Sequence, residues 1–329
     1  MKLASLKIGG RDGSLIVVSR DLQRFVSAEG IAGTLQAALD DWQATAPRLN
    51  ALYADLEGGA CTGIEALDLS KLAAPLPRAF EFLDGSAYLP HVERVRRARG
   101  AEVPESFYVD PLMYQATSAG FLGPRDPVPV VSEEYGIDFE SEIIVITDDV
   151  PMAVTPDRAE SHIQLIGLVN DVSLRNLIPA ELAKGFGFLQ SKPRSSLSPV
   201  VVTPDELGEQ WQDCKLMLPL HSTLNGSQFG RPEAGEDMQF NFAQLVAHAA
   251  KTRPLAAGTI VGSGTIANAD TARGASCLAE IRMLEIIAEG KAVTPFMKFG
   301  DTIRIEMFDL NGDSIFGAIE QEITAYEYG

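Results

Sequence analysis

Acidic side chains with the spacing of a metal site lie in the middle of the chain, beside strongly apolar segments. Glu140 and Glu142 are two residues apart at the start of an apolar run, and Asp171 ends another. Residues two apart on a β-strand point to the same face, about 6.5 to 7 Å apart along the chain. Like charges beside apolar residues are costly unless a cation joins them. A divalent metal held by carboxylate oxygens is the simplest explanation, and a solvated strand face is the alternative.

Other common catalytic patterns do not occur in the sequence. There is no GxSxG, HExxH or GxxxxGK[ST] segment. Gly262-Ser263-Gly264-Thr265 opens no helix with a dinucleotide fingerprint, so a tight loop is predicted there. The chain has four histidines and three widely spaced cysteines, which argues against a zinc site built on nitrogen and sulfur. The remaining possibility is a site with oxygen ligands that binds Mg²⁺, Mn²⁺ or Ca²⁺.

Composition and charge narrow the class of partner. The 329 residues carry a formal net charge of -18, which disfavours binding to nucleic acid or to an anionic membrane surface. No apolar run reaches the roughly 18 residues of a membrane span. The first residues are too polar for a secretory signal. These features predict a cytoplasmic protein with reduced thiols and no nucleic-acid or membrane partner.

The N-terminal part must form its own small unit of hairpin and helix. Alternating residues around Gly9-Gly10-Arg11-Asp12-Gly13 predict a hairpin over residues 3–18. A helix is predicted after Thr34, interrupted at Pro47 and fading near Gly58. Residues 72–77 then predict an extended crossing into the main domain. We expect a small domain over residues 1–76 and a larger one over residues 77–329.

The elements of the larger part are mostly strands. Strands are predicted at residues 80–84, 142–146 and 166–169, and hairpins at Asn225-Gly226 and Asn311-Gly312. A helix is predicted over residues 242–250. These elements predict an α+β protein with a large mixed or antiparallel sheet system.

A short basic helix is predicted between residues 85 and 99, with His91 near its start. It carries a cluster of arginines in an otherwise acidic chain: Arg94, Arg96, Arg97 and Arg99. The cluster is either a solvated helix face or part of a lid that attracts an anionic substrate.

Three motifs, in this order and at this spacing, resemble the fumarylacetoacetate hydrolase superfamily. They are Asp-Phe-Glu-Ser-Glu at 138–142, Asn-Asp-Val-Ser-Leu-Arg at 170–175, and Phe-Leu-Gln-Ser-Lys at 188–192 followed by Ser-Pro at 198–199. The resemblance covers roughly residues 80–323, and the N-terminal part is similar to the extra domain of the longer bacterial members. It implies a mixed β-sheet roll of that family's type and a homodimer.

The resemblance also implies a role for each matching residue. The metal ligands would be Asp84, Glu140, Glu142 and Asp171. The catalytic residues would be His91 as general base, Glu280 as the carboxylate that orients it, and Lys192. The substrate contacts would be Tyr114, Arg175 and Thr265. Ser196, four residues after Lys192, would support the cation site from behind its ligands, and Glu93 is a local alternative to Glu280.

The activity implied is hydrolysis of a carbon–carbon bond in a fumarylacetoacetate-like 2,4-dioxo acid, from aromatic or tyrosine breakdown. His91 would take a proton from water, Lys192 would stabilise the oxyanion, and the metal, Mg²⁺ first, would stabilise the enolate leaving group. Arg175 and an arginine of the basic helix would hold a carboxylate of this small anionic substrate.

Two alternatives stay open at this point. The same metal chemistry serves 2-oxo acid decarboxylases, hydratases and isomerases, although His91 paired with Asp84 favours attack by water. A metal-containing binding protein without turnover would follow if His91 pointed away from the metal. Two departures from the family pattern leave the exact substrate open: Gln115-Ala116-Thr117 follows Tyr114 in place of His-Gly-Arg, and Ile178 replaces a Gln.

Overall fold

The computed structural model describes residues 1–98, 100 and 102–328, so Arg99 of the arginine cluster lies outside the described residues. The helices are α1 Leu35–Leu39, α2 Trp42–Glu57, α3 Leu89–Ala98, α4 Pro156–Ala159, α5 Ile178–Leu182, α6 Phe242–Ala249 and α7 Leu278–Glu289. Short 3₁₀ helices span Leu69–Lys71, Glu105–Tyr108, Glu133–Tyr135, Glu160–His162, Pro204–Gln210 and Thr271–Arg273.

The strands of the first half of the chain are β1 Lys2–Leu6, β2 Ser14–Val18, β3 Arg24–Ser27, β4 Glu65–Ala66, β5 Phe82–Gly85, β6 Met113–Ala116, β7 Val128–Val130, β8 Ile137–Asp138, β9 Ser141–Thr147 and β10 Ile163–Asn170. Those of the second half are β11 Ser173–Leu174, β12 Ser196–Leu197, β13 Val201–Val202, β14 Trp211–Gln212, β15 Lys215–Leu216, β16 Leu220–Leu224, β17 Ser227–Gly230, β18 Ile260–Gly262, β19 Thr302–Met307 and β20 Ile319–Ala325.

A long mixed sheet forms the frame of the molecule. Its strand order is β4-β3-β2-β1-β13-β10-β9-β18-β5-β6, with β12 beside β10. The β18–β5 pair is parallel, whereas β9–β10 and β9–β18 are antiparallel. Ile143 and Val145 of β9 face one apolar core, and Ile144 and Ile146 face another, so the central strand is buried on both sides. The predicted α+β class with a mixed sheet is confirmed.

One of these cores is covered by the N-terminal helices. The Thr34 side chain accepts a hydrogen bond from the Ala37 N–H and begins α1, as predicted. The helix breaks at Asp40 and Asp41, not at Pro47, so the predicted interruption at Pro47 was wrong. Pro47 lies in the second turn of α2, where its missing N–H removes a single hydrogen bond near the helix start.

The other core lies against a second sheet of order β17-β16-β19-β20-β7. The β16–β17 hairpin turns at Asn225 and Gly226, as predicted, and both residues have positive φ (49° and 74°). The predicted helix over residues 242–250 is α6, which Asn241 and Gln244 begin with a capping box.

The N-terminal segment is continuous with the main sheet. Lys2 and Leu3 of β1 pair with Val202 and Val201 of β13, far along the chain. The predicted boundary between residues 76 and 77 falls in an extended segment, and it stays a prediction. Of the helices in the described residues, none has the length and apolar content needed to cross a membrane.

Candidate active site

Three carboxylates meet at one edge of the main sheet. Asp84 lies on β5, Glu142 on β9, and Asp171 directly follows β10. The register explains their meeting, because Gly262 of β18 pairs with Asp84 on one side and with Ile144 on the other, while Glu142 pairs with Val169. Ligand oxygens of Asp84, Glu142 and Asp171 lie within 4.8 Å of one another. The strands therefore bring together three of the four predicted metal carboxylates.

Glu142 is the least compensated group of this cluster. Its side chain is fully buried, and neither carboxylate oxygen has a hydrogen-bond partner among the described residues. Burial, reinforced by Asp84, raises the pKa of Glu142 well above its usual range. Burial together with Asp171 raises the pKa of Asp84 to about 7. Hard carboxylate oxygens without protein partners suit a divalent cation, so Glu142, with Asp84 beside it, fits the predicted metal.

Glu140 lies beside the cluster but is already paired with protein cations. It precedes β9 rather than lying on it, and its oxygens contact the Arg175 guanidinium at 2.7 Å and Lys192 Nζ at 2.5 Å. Burial opposes ionisation, but Arg175 and Lys192 outweigh it and hold the pKa of Glu140 below its usual range. The oxygens of Glu140 are therefore neutralised within the protein, unlike those of Glu142.

Asp171 is held by a network of donors. Lys192 Nζ and the Tyr114 hydroxyl each donate to Asp171 Oδ2 at 2.5 Å, and the Ser195 hydroxyl donates to Oδ1 at 2.6 Å. The predicted supporting residue Ser196 makes no such contact. It pairs with Asn170 on β12, and its hydroxyl has no partner among the described residues. Ser195 was not identified from the sequence as a residue of the site. Side chains of consecutive residues in extended backbone point to opposite sides, so only one of the two neighbouring serines can face Asp171.

The predicted base and its carboxylate are in contact. His91 Nδ1 lies 2.9 Å from a Glu280 oxygen, and Arg94 binds the other oxygen of Glu280. Arg94 also donates to the Asn268 carbonyl at 2.5 Å, which fixes its guanidinium. The alternative carboxylate, Glu93, is exposed and accepts a hydrogen bond from Tyr108 instead. Glu280, and not Glu93, thus orients the His91 ring in the structure.

Asp138 positions Glu280 by binding the start of α7. Its carboxylate accepts the N–H groups of Leu278 and Ala279 at 2.7 and 2.9 Å, at the start of α7. A carboxylate is favoured there because the first N–H groups of a helix have no partner within the helix. The first turn of α7, which includes Glu280, is thereby fixed relative to the strand that leads to Glu140.

Glycines allow Asp84 to approach its neighbours. A Cβ at Gly262 would collide with the Asp84 carboxylate, and one at Gly264 would collide with the Gly85 carbonyl. Gly264 also has φ of +76°, which a side chain disfavours, and its N–H donates to Asp84 at 3.2 Å. The predicted tight loop at residues 262–265 is therefore the backbone support of Asp84.

A cavity of about 690 Å³ opens beside these groups. Its wall includes the predicted substrate residues Tyr114, Arg175 and Thr265. Arg175 donates to Asp138 at 2.8 Å as well as to Glu140, so its guanidinium is already engaged by two carboxylates. Of the arginines on α3, Arg96 also lines the cavity, whereas Arg94 is bound to Glu280 and Arg97 is exposed.

Comparison with known protein families covers most of the chain. Residues 82–324 match the family model of the fumarylacetoacetate (FAA) hydrolase C-terminal domain. Residues 1–78 match that of fumarylacetoacetase N-terminal domain 2. The three motifs quoted above lie inside the first of these ranges.

Individual relatives are distant. A protein of Burkholderia ambifaria named as a hydrolase is 26% identical over 200 residues, which are 59% of this chain and 64% of that relative. A structure described as a probable 2-hydroxyhepta-2,4-diene-1,7-dioate isomerase from Mycobacterium abscessus has a TM-score of 0.67 at 17% identity, covering 100% of both chains. Maleylpyruvate hydrolase from Sphingobium sp. SYK-6, in complex with manganese(II) and pyruvate, has a TM-score of 0.65 at 16% identity, covering 99% of this chain and 100% of that one. These likenesses show a shared fold.

Proposed function

The chain belongs to the fumarylacetoacetate hydrolase family, and from that premise we propose that it hydrolyses a carbon–carbon bond of a 2,4-dioxo acid with the help of a divalent metal. The main support is one juxtaposition. Asp84 and Glu142, which form a buried carboxylate cluster with Asp171, line the same cavity as His91, and His91 contacts Glu280. Chemistry by a metal and a base together needs both parts within reach of one substrate.

Asp84, Glu142 and Asp171 would hold the cation, with Glu140 beside them. When bound, such a cation supplies Lewis-acid stabilisation of negative charge on the oxygens of the substrate. We propose Mg²⁺, because carboxylate oxygens are its usual protein ligands and the family resemblance implies it. Breakdown of an aromatic compound such as tyrosine and a homodimer are parts of the proposal that rest on the same resemblance. A cytoplasmic location is a further part, and it rests on the composition of the sequence.

His91 would act as the general base. With Nδ1 directed to Glu280, the ring keeps Nε2 as its basic nitrogen, and His91 lines the cavity. The Glu280 carboxylate stabilises the imidazolium that forms when Nε2 takes a proton from water. Arg94 holds the other Glu280 oxygen, so the carboxylate keeps its orientation as the charge on His91 changes.

Lys192 would stabilise the oxyanion formed by attack of water on the acyl carbonyl. Burial opposes its charge, but Asp171 and Glu140 outweigh burial and keep the pKa of Lys192 above its usual range. The ammonium therefore stays charged beside the cavity. When the carbon–carbon bond breaks, its electron pair remains with the 2-oxo acid fragment, and the proton held by His91 can be returned to that carbon. The products are a carboxylic acid and a 2-oxo acid.

A decarboxylase, hydratase or isomerase is the second candidate. The M. abscessus structure described as an isomerase shares the fold, so the fold does not decide between these reactions. Decarboxylation of a 2-oxo acid needs no attacking water, so the contact between His91 and Glu280 supports the hydrolase over a decarboxylase. A hydratase or an isomerase would use the same base, and the products distinguish these two reactions from hydrolysis.

Incubation of the Mg²⁺-loaded protein with fumarylacetoacetate and a panel of acylpyruvates tests the proposal. Loss of the diketone absorbance should yield equimolar carboxylic acid and 2-oxo acid, and EDTA should stop it. Release of carbon dioxide, or an isomer of unchanged mass, would support the second candidate instead. No change at enzyme excess would identify a binding protein without turnover.

A further inference from the structure

The cavity extends beyond the carboxylates into a space between three helices. Ile178 and Leu182 lie four residues apart on α5, and both line it. Met283 and Ile286 lie three apart on α7, and Val95 faces the same space from α3. Residues three or four apart lie on the same face of a helix, so the apolar face of each helix is turned towards the cavity. The chemistry is thus confined to one end, and the rest of the wall is mainly hydrocarbon.

Two arginines complete this outer wall, and both lie over aromatic rings. The Arg96 guanidinium is 4.8 Å from the centre of the Phe107 ring, and that of Arg282 is 4.1 Å from the centre of the Phe296 ring. Arg282 also donates to the Thr294 carbonyl. Guanidinium groups held in this way present planar surfaces on which an apolar or aromatic group can stack.

The volume exceeds what a short dioxo acid needs. A cavity of about 690 Å³ lies within the range of about 300 to 1,000 Å³ typical of sites that enclose a drug-sized ligand. The head group of a 2,4-dioxo acid would be held at the carboxylate end. A ligand with only a small acyl group would leave the apolar space between the helices filled with water.

We propose that this outer space binds the acyl arm of the substrate and that the arm is a large apolar group, either alkyl or aryl. This inference rests on the proposed function, which concerns the dioxo acid head group of the substrate. It adds the chemical class of the acyl arm. The wall formed by Ile178, Leu182, Met283 and Ile286 offers hydrophobic contact along the length of the arm. The charged groups of this outer wall, Arg96 and Arg282, lie over aromatic rings. A short arm such as that of fumarylacetoacetate would leave most of the hydrocarbon wall uncovered.

Binding of simple 2-oxo acids tests the arm without requiring turnover. Calorimetric titration of the Mg²⁺-loaded protein should show tighter binding as the chain lengthens from 2-oxobutanoate to 2-oxooctanoate, by about fourfold for each methylene buried. Equal affinities, no binding of either acid, or tighter binding of the dicarboxylic 2-oxosuberate would overturn the proposal. A clear length dependence without hydrolysis of any acylpyruvate would preserve the inference about the arm and reject the hydrolase.

Paired variants locate the effect. Met283→Gln and, independently, Ile286→Gln should each weaken binding of 2-oxooctanoate by about tenfold, because an amide replaces hydrocarbon in the wall. Leu284→Gln, on the same helix but outside the cavity wall, should keep the dependence on chain length. Weaker binding of 2-oxooctanoate by Leu284→Gln, or parent affinity in both cavity variants, would contradict the assignment.

Discussion

Glu142 and Glu140 differ by two positions in the chain, yet the protein treats their charges in opposite ways. Glu140 contacts two cations, whereas Glu142 has no partner for either oxygen among the described residues. Two buried carboxylates in one site repel each other unless a proton or a cation intervenes. The difference identifies Glu142 as the ligand whose replacement should be most informative.

Glu142→Gln keeps the size of the side chain and removes its charge. We expect the affinity for Mg²⁺ or Mn²⁺ to fall at least about 100-fold, since a ligand position should cost no less than a supporting one. Titration calorimetry of the metal-free protein measures this. Glu134→Gln, at an exposed glutamate outside the site, is the control and should bind metal as the parent does. Parent affinity in Glu142→Gln would remove Glu142 from the ligand set.

His91→Asn separates metal binding from water activation. The variant should bind metal normally but lose about 10²- to 10⁴-fold in kcat, the usual contribution of a general base. Glu280→Gln should lose activity in the same direction, because the amide stabilises the imidazolium less. Glu93→Gln, on the same helix but exposed, should retain turnover. Unchanged kcat in His91→Asn would exclude its role as base.

At the scale of elements, a buried carboxylate anchors the loop that leads to Lys192. Glu181 on α5 accepts hydrogen bonds from the N–H groups of Leu189, Gln190 and Ser191 and from the Ser191 hydroxyl. Burial opposes ionisation, but the donors of residues 189–191 outweigh it and lower the pKa of Glu181 to about 2. The loop therefore depends on an ionised Glu181 to present Lys192 to the site.

Glu181→Gln should destabilise the protein in a pH-dependent way. A depressed pKa stabilises the fold fully above the unfolded value of 4.5, and the effect is lost as pH falls towards about 2. We expect a deficit of about 2 kcal/mol in the free energy of unfolding at pH 7, typical of hydrogen bonds to a charged group. Urea unfolding of parent and variant from pH 7 to pH 2.5 measures the gap. A gap that stays constant over this range would contradict the role given to the charge.

The close approach of β18 to Asp84 on β5 leads to a second prediction at the scale of elements. Gly262→Ala places a methyl group against the Asp84 carboxylate, so Asp84 or its strand must shift. We expect metal affinity to fall about tenfold or more, comparable to loss of a group that orients a ligand. Gly33→Ala, where a Cβ meets no atom within 4 Å, is the matched control. Calorimetry showing equal metal affinity for Gly262→Ala and the parent would mean that Asp84 contributes little to the site.

Across the whole molecule, the continuous sheet determines where the site forms. Strands β10, β18 and β5 end at one edge of the sheet, and β9, which lies between β10 and β18, begins there. This arrangement places Asp171, Glu142 and Asp84 at that edge. The N-terminal strands extend the same sheet through the β1–β13 pair, and their helices cover its apolar core. The position of the carboxylates thus depends on pairing between segments that are far apart in sequence.

Local signals in the sequence predicted many of these parts. The Thr34 cap, the Asn225-Gly226 hairpin and the α+β class were all predicted, because each depends on nearby residues. The family resemblance implied that His91 meets Glu280, with Glu93 as the alternative. Three features could not be read locally: the break before Trp42, the contact of Ser195 rather than Ser196, and the pairing of Glu140 with Lys192 and Arg175. Each depends on packing or strand register set by distant segments.

The most direct test of the central claim is a single-turnover reaction with an acylpyruvate in ¹⁸O-labelled water. If the Mg²⁺-loaded protein cleaves the carbon–carbon bond by attack of water, the released carboxylic acid should contain one ¹⁸O atom from the solvent, detected by mass spectrometry. The same reaction without metal should release no acid. Consumption of the substrate with release of carbon dioxide or formation of an isomer, and no labelled acid, would contradict the account.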